Sequence, residues 1–471
     1  MDTFIDSVVS QTLHLSIGDA YLSSLTIQLI SFYENSTGNA DFMSSDKLEQ
    51  AFYRALCAFP VYAGMVHWSS NGLLEVSIDK DNLNMPGYTE STTDILFGDL
   101  KAAKYNPVSW PPGLLSVETT PLPDARDGKT RMLNVHIVRC KDNSGVIIFV
   151  CGNHAIADGT GFYTFIQRWA DEMRALVKGM PAPTDTFSFD RSILTDASAL
   201  SRRELDSEEL EQVQSLFSTE RNREYQKGIL ASGNKGSLYR VSKDKLDRLG
   251  SEVSVHTSGN MRLSANDVLS ALIAKTLAQA AKDQTDDGAD LAPTSSNVSA
   301  VLPLQKIGIA CNVRPRLGEA YTNYIGNGLY PLSFTHSFES SASETTSESL
   351  AQVACKIRKA VGSVQKQQVT EFFNGIEADP VPFVSARASP DKHKHDTIIT
   401  NHSRFKIYEQ DFGYGIPVFA SPRPHSTTSC VRILPVHPPS NDVHVFIIDT
   451  PSMLKSIRGN KFWNGIAEFV Y

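Results

Sequence analysis

The stretch Gly145 to Trp169, GVIIFVCGNHAIADGTGFYTFIQRW, constrains the fold of this chain more than any other. It opens with an apolar, β-branched run from Val146 to Val150, the pattern of a buried strand. The run stops at Cys151, Gly152 and Asn153, and His154 follows. Asp158-Gly159-Thr160-Gly161 comes next, and from Phe162 the apolar spacing turns helical, through Phe165, Ile166 and Trp169. A strand, a tight glycine-containing turn and a helix therefore present an imidazole at the strand's end. A His held there meets a substrate at a fixed angle. Its ordinary pKa of ~6.5 leaves it mostly neutral near pH 7 and able to accept a proton.

A lone His is more often a satisfied structural residue than a catalyst. Here the context is His-x-x-x-Asp-Gly directly after a strand. Asp158 is placed to orient the loop and not to touch the imidazole. A short acid beside glycine suggests a carboxylate turned inward, which needs a cation partner. Cys151 raises the alternative of a Cys–His nucleophile pair, but at a strand end it reads as a buried, inert thiol.

Composition narrows the class. With 471 residues, 41% apolar and 20% charged, the chain suits a soluble protein of two or three domains and not a disordered one. A net charge of −8 argues against general nucleic-acid binding and leaves room for local Lys and Arg to meet an anionic co-substrate. The six Cys form no Cys-x-x-Cys pair, so neither a structural zinc site nor a redox pair is expected, and a reducing compartment fits. His393 and His395, between Asp391 and Asp396, lie in a Lys-dense run without zinc spacing and read as a solvated loop, so no metal is expected. No signal peptide and no membrane-spanning stretch is legible, so the expected setting is the cytoplasm, with no membrane partner.

Along the chain, residues 12–33 read as a strand followed by a helix or second strand. Lys47–Phe59 reads as a helix, and residues 61–78 as a strand pair turning at Asn71-Gly72. Residues 79–128 read as a long connection rich in Pro, Gly and Asp, and Arg131–Arg139 as a strand hairpinned through 143–145 to the central run. The polar stretch from 180 to about 225 is the candidate crossover. A second core starts near Gly236 and includes a strong helix, DVLSALIAKTLAQAA, with Ser264 as its cap, strand material over 301–311 and an amphipathic helix at 350–365. The expected division is 1–190, 191–225 and 226–471, an α+β chain of two lobes.

Near the C-terminus, Asp411-Phe412-Gly413-Tyr414-Gly415 forms a glycine-punctuated turn. Its DFG tripeptide lacks the glycine-rich loop and His-Arg-Asp stretch that a kinase requires. With His-x-x-x-Asp-Gly, it resembles the BAHD acyltransferases, whose late motif is DFGWG. Pro60-x-x-Ala63-Gly64 resembles the family's PLAGR stretch, with Met65 in place of its Arg. LSANDVLSALIAKT, Asn312-Val313-Arg314-Pro315-Arg316 and Tyr324-Ile325-Gly326-Asn327 are similar to further family blocks in the same order. The overall pattern is nearer fungal members, such as trichothecene O-acetyltransferases, than plant ones.

The resemblance implies two chloramphenicol-acetyltransferase-like lobes with a tunnel between them. It also implies transfer of an acyl group, acetyl by expectation, from acyl-CoA to a hydroxyl of a small secondary-metabolite acceptor. His154 would be the base. Asp158 and Gly159 would shape its loop, and Arg314 would pair with Asp158. Thr400 would donate to the oxyanion, beside His402 where plant members often keep Trp. Asp411, Gly413 and Gly415 would be structural supports. Ser264, at a helix N-terminus, is a candidate CoA contact, although a plain N-cap explains it as well. A monomer is expected, with acyl-CoA as co-substrate and no bound cofactor. Three alternatives remain open: an amine acceptor, a condensation-domain-like enzyme using carrier-protein thioesters (Asn153 stands where such domains usually have a first His), and an idle binding protein.

Overall fold

The computed structural model describes residues 1–69, 74–116, 130–215, 233–257, 261–286, 304–388, 397–424, 429–436 and 438–471. The apolar run becomes the strand Gly145–Asn153, buried at every residue. It lies at the middle of a five-stranded sheet in the order Phe419–Ser421, Thr26–Glu34, Gly145–Asn153, Leu133–Arg139, Gly87–Thr92. Both neighbours of the central strand run antiparallel to it. Val146, Ile148 and Val150 pack among residues of the helices Ser45–Ala58 and Gly159–Lys178. Ile147, Phe149 and Cys151, on the other face, pack with Leu238, Phe446 and Ile448 of a second sheet. Burial on both faces is why the run is continuously apolar and does not alternate.

The second sheet has seven strands, ordered Leu329–Ser337, Leu304–Asn312, Thr397–Asn401, Cys430–Ile433, Val443–Asp449, Lys235–Val241, Ala467–Phe469. Thr397–Asn401 runs parallel to both its neighbours. Helices Lys243–Ser254, Ala265–Asp286, Ser347–Ser363 and Pro451–Gly459 cover one face and share its apolar core. A three-stranded sheet of Gln11–His14, Leu74–Ile78 and Met65–Trp68 completes the first half. The architecture is α+β with two lobes joined by the apolar layer between the two large sheets.

The long connection expected over 79–128 is not devoid of structure. It holds the edge strand Gly87–Thr92, parallel to Leu133–Arg139, and the helix Phe97–Ala102. Four of the strand's six residues are exposed, so its sequence carries no apolar pattern. The turn before Gly145 spans Lys141–Asn143, with positive φ at Asp142 and Asn143. The turn at Asn71-Gly72 and the His393/His395 run lie outside the described residues.

The C-terminal part of the chain returns to the first lobe. Phe412 packs edge-on against Trp169 and Tyr33, with ring centroids 5.1 and 5.4 Å away. Phe419–Ser421 then pairs antiparallel with Thr26–Glu34. Among the described residues, no helix is long and apolar enough to cross a membrane, and no group of His, Cys, Asp and Glu could hold a metal ion.

Candidate active site

His154 follows the last residue of the central strand, and its backbone N–H donates to Leu25 O at 3.0 Å. The helix after it starts at Gly159, ahead of the first apolar helical residue, because Asp158 caps it: Asp158 Oδ1 accepts from Gly161 N–H at 3.1 Å. Gly161 is required by close approach. A Cβ there would lie 2.2 Å from Ile325 O, so the helix start sits directly on the 324–328 segment of the second lobe.

Asp158 is fully buried and meets Arg314 in a two-toothed ion pair, Nη1 to Oδ2 at 2.7 Å and Nη2 to Oδ1 at 3.1 Å. Arg314 also donates to Tyr324 O and Gly326 O, and Gly328 N–H donates to Asp158 Oδ2 at 3.0 Å. The lone pairs and protons of the pair are thus largely satisfied, the condition under which a buried ion pair is tolerated. The carboxylate points at the second lobe and holds the loop beneath His154.

His154 itself is partly buried, and its Nδ1 lies 3.0 Å from Asn327 Oδ1. Asn327 Nδ2 donates to Asp19 Oδ1 at 2.6 Å and to His154 O at 2.8 Å. A carboxylate and a carbonyl can only accept, so the amino group of Asn327 is fixed toward them and its oxygen toward the ring. Nδ1 therefore carries the proton, and Nε2 carries the lone pair. Asp19, fully buried, is in turn held by Arg191 Nε at 3.1 Å, and Arg191 Nη2 donates to Ile156 O at 2.7 Å. Sequence reasoning missed Asp19, Arg191 and Asn327 as site residues.

Burial lowers the His154 pKa below its ordinary value, against the opposing pull of its own backbone hydrogen bond, Asp158, Asn327 and Asp19. His402 is pushed down to about 3 by burial, by Arg432 and by His154. Both rings are neutral near pH 7. His402 Nδ1 lies 3.4 Å from the Tyr163 hydroxyl, and its ring packs on Phe405.

Known proteins share the sequence pattern and the fold of this chain. Shikimate O-hydroxycinnamoyltransferase of Nicotiana tabacum is 22% identical over 417 residues, covering 87% of this chain and 86% of that one. The crystal structure of F. graminearum TRI101 with ethyl coenzyme A superposes with a TM-score of 0.72 at 14% identity, over 98% of this chain and 100% of that one. The same enzyme has also been solved with coenzyme A and T-2 mycotoxin. Vinorine synthase superposes with a TM-score of 0.62 at 15% identity, over 98% of both chains. The model of the Transferase family matches residues 6–461. This chain belongs to the BAHD acyltransferases.

As a BAHD protein it is a CoA-dependent acyltransferase. In this BAHD chain Thr400 lies on the strand Thr397–Asn401, beside Arg432 in register, and its hydroxyl donates to Val431 O at 3.4 Å. His402 lies two residues beyond it, within electrostatic reach of His154. Asp411 does not join this group. Its Oδ1 accepts from Gly413 N–H and Gly415 N–H at 2.7 and 2.8 Å, forming a turn against the helix Gly159–Lys178. Gly413 has φ of 95°, and a Cβ there would meet Val177 at 3.0 Å. Ser264 exchanges hydrogen bonds with Asp267 at the start of Ala265–Asp286: its N–H and hydroxyl donate to Oδ2 at 2.7 Å. Cys151 is buried in the apolar layer between the sheets.

Proposed function

We propose that this BAHD acyltransferase moves an acyl group, with acetyl as the first candidate, from acyl-CoA to a hydroxyl of a small secondary-metabolite acceptor in a ternary complex. The observation that carries the proposal is a neutral His154 whose Nδ1 is occupied by Asn327 while Nε2 keeps its lone pair, at the junction of the two lobes. Nε2 takes the acceptor's hydroxyl proton as the oxygen attacks the thioester carbon. The C–S bond then breaks, and the proton passes from Nε2 to the departing thiolate. Thr400 is the hydroxyl proposed to donate to the tetrahedral oxyanion. Asp158, Gly159 and Arg314 hold the loop, and Asp411, Gly413 and Gly415 brace its helix from behind. Ser264 is proposed only to lie near the CoA path, since its hydroxyl already serves Asp267. The TRI101 complexes, with CoA and a small toxin bound to the same fold, support this pairing of substrates.

A screen of labelled acetyl-CoA against metabolite extracts identifies the acceptor and separates a hydroxyl from an amine. With the acceptor in hand, His154→Ala lowers kcat by ~10²–10⁴ while acyl-CoA affinity holds. Because the His154 pKa is lowered, the rate persists somewhat below pH 6.5 and falls as pH drops through that lowered value. Intersecting initial-rate lines with an active Cys151→Ala fit direct transfer. Parallel lines with an inactive Cys151→Ala overturn it in favour of an acyl-enzyme.

A further inference from the structure

Asp19 has no place in the proposed reaction, yet it is the most heavily bonded carboxylate near the imidazole that does not belong to the His154 loop. We infer that Asp19 acts on His154 through Asn327, as a carboxylate–amide–imidazole relay that fixes the reactive tautomer. Asp19 and Asn327 are positioning residues and touch no substrate. The inference rests on the reading of His154 as the base.

The geometry runs in one line. Arg191 Nε donates to Asp19 Oδ2 at 3.1 Å, Asp19 Oδ1 receives Asn327 Nδ2–H at 2.6 Å, and Asn327 Oδ1 meets His154 Nδ1 at 3.0 Å. Asp19 also receives the Ser16 N–H at 2.9 Å and the Asn327 N–H at 3.3 Å. Its position is thus set from three parts of the chain. The helix Ile17–Leu22 that bears it is tied down again, because Glu377 accepts the Ile17 N–H at 2.8 Å. Asp19 and Asn327 are both buried, so water does not compete for these bonds.

An amide between carboxylate and imidazole has a specific consequence. It cannot take the Nδ1 proton, so the relay moves no proton and acts by orientation and field alone. Flipping the Asn327 amide would turn its oxygen onto the Asp19 carboxylate and onto His154 O, two acceptors. The charge on Asp19 therefore makes the flip costly and keeps Nδ1 protonated. The same charge favours the protonated ring and offsets part of the burial that depresses its pKa. Among the described residues, the charged and titratable groups around His154 are Asp158 with Arg314, Asp19 with Arg191, and His402 with Arg432 and the Tyr163 hydroxyl. Of the two carboxylates, only Asp19 reaches the ring through a continuous hydrogen-bonded path.

The test reads the tautomer directly and needs no acceptor. Full-length protein is labelled with ¹⁵N-histidine, and His154 is assigned by comparison with His154→Gln in long-range proton–nitrogen spectra. The unmodified protein is expected to show a protonated Nδ1 and a bare Nε2 at neutral pH. Asp19→Asn is expected to give a mixture of tautomers and to move the His154 midpoint downward by up to about one unit. If stranding Arg191 prevents folding, Asp19→Asn with Arg191→Gln removes both charges and is expected to give the same spectrum. A protonated Nε2 in the unmodified protein overturns the relay. So does an unchanged tautomer and midpoint in a folded Asp19 variant, even if activity falls. A failed transferase assay with the expected spectra would instead count against the reaction and leave the relay standing.

Discussion

Two buried Asp–Arg pairs flank His154, and they are built alike but placed differently. Asp158–Arg314 joins residues 156 positions apart through both guanidinium teeth and fastens the loop below the ring to the second lobe. Asp19–Arg191 joins residues 172 positions apart through a single Nε contact, and its second oxygen is spent on Asn327. The first pair is closed on itself. The second is open on the side facing the imidazole. A buried ion pair is weak evidence for stability, since desolvation cancels much of its attraction. Both pairs also bond backbone, and what distinguishes them is that only the second sends a carboxylate bond, through Asn327, toward the ring.

The largest expected effect comes from breaking the closed pair. Asp158→Ala leaves Arg314 buried without its carboxylate and removes the helix cap, and should cost about 3–5 kcal/mol in denaturant unfolding, with activity lost as well. A loss below about 1 kcal/mol would make the closed pair dispensable and erase the contrast. Arg191→Met should cost less, near the lower end of the ~3–5 kcal/mol range, because Asp19 keeps three N–H donors after the change. Replacing both members, Asp158→Asn with Arg314→Gln, should destabilise by less than the sum of the single changes, and a double-mutant cycle measures the difference. Gly413→Ala, at φ of 95° against Val177, should lower stability by roughly 1–3 kcal/mol while leaving the His154 midpoint in place.

The last effect is read by pH. His336 is pushed down to about 4 by burial, Lys356 and Lys275, and His402 to about 3. Both are neutral in the folded chain and take up a proton on unfolding once pH falls below ~6.5. The unfolded state then binds more protons, so the contribution of these two rings to stability declines as pH falls from ~6.5 toward the lowered values and is flat above. His336→Gln should flatten part of that decline in unfolding curves recorded between pH 7 and 4.

The closed pair was legible in the sequence, because Asp158 and Arg314 each sit inside a short motif with recognisable neighbours. The open pair was not. Asp19 looks locally like a helix-capping acid, which it is, since its Oδ2 accepts the Ser16 N–H. Arg191 lies in a polar stretch that reads as a crossover, and nothing local marks it as buried. Asn327 belongs to a recognisable block, Tyr324–Asn327, but its amide gains meaning only from Asp19, 308 residues away. The central strand was plain because both its faces are buried, whereas Phe419–Ser421 is too short to carry a period. Local chemistry is written locally. A bond network assembled from four segments is visible only after folding.

The strand Phe419–Ser421 also sets an order of events during synthesis. Thr26–Glu34 gains its outer partner only once residue 421 has been made. Until then the nascent first lobe leaves the N–H and C=O groups of that edge unpaired at Ile30–Phe32, an open template for another chain. The ladder across that edge is among the most sequence-distant in the molecule, a kind of contact that forms slowly. The edge of the first sheet is therefore completed by nearly the last part of the chain, long after the other strands of that sheet have been made.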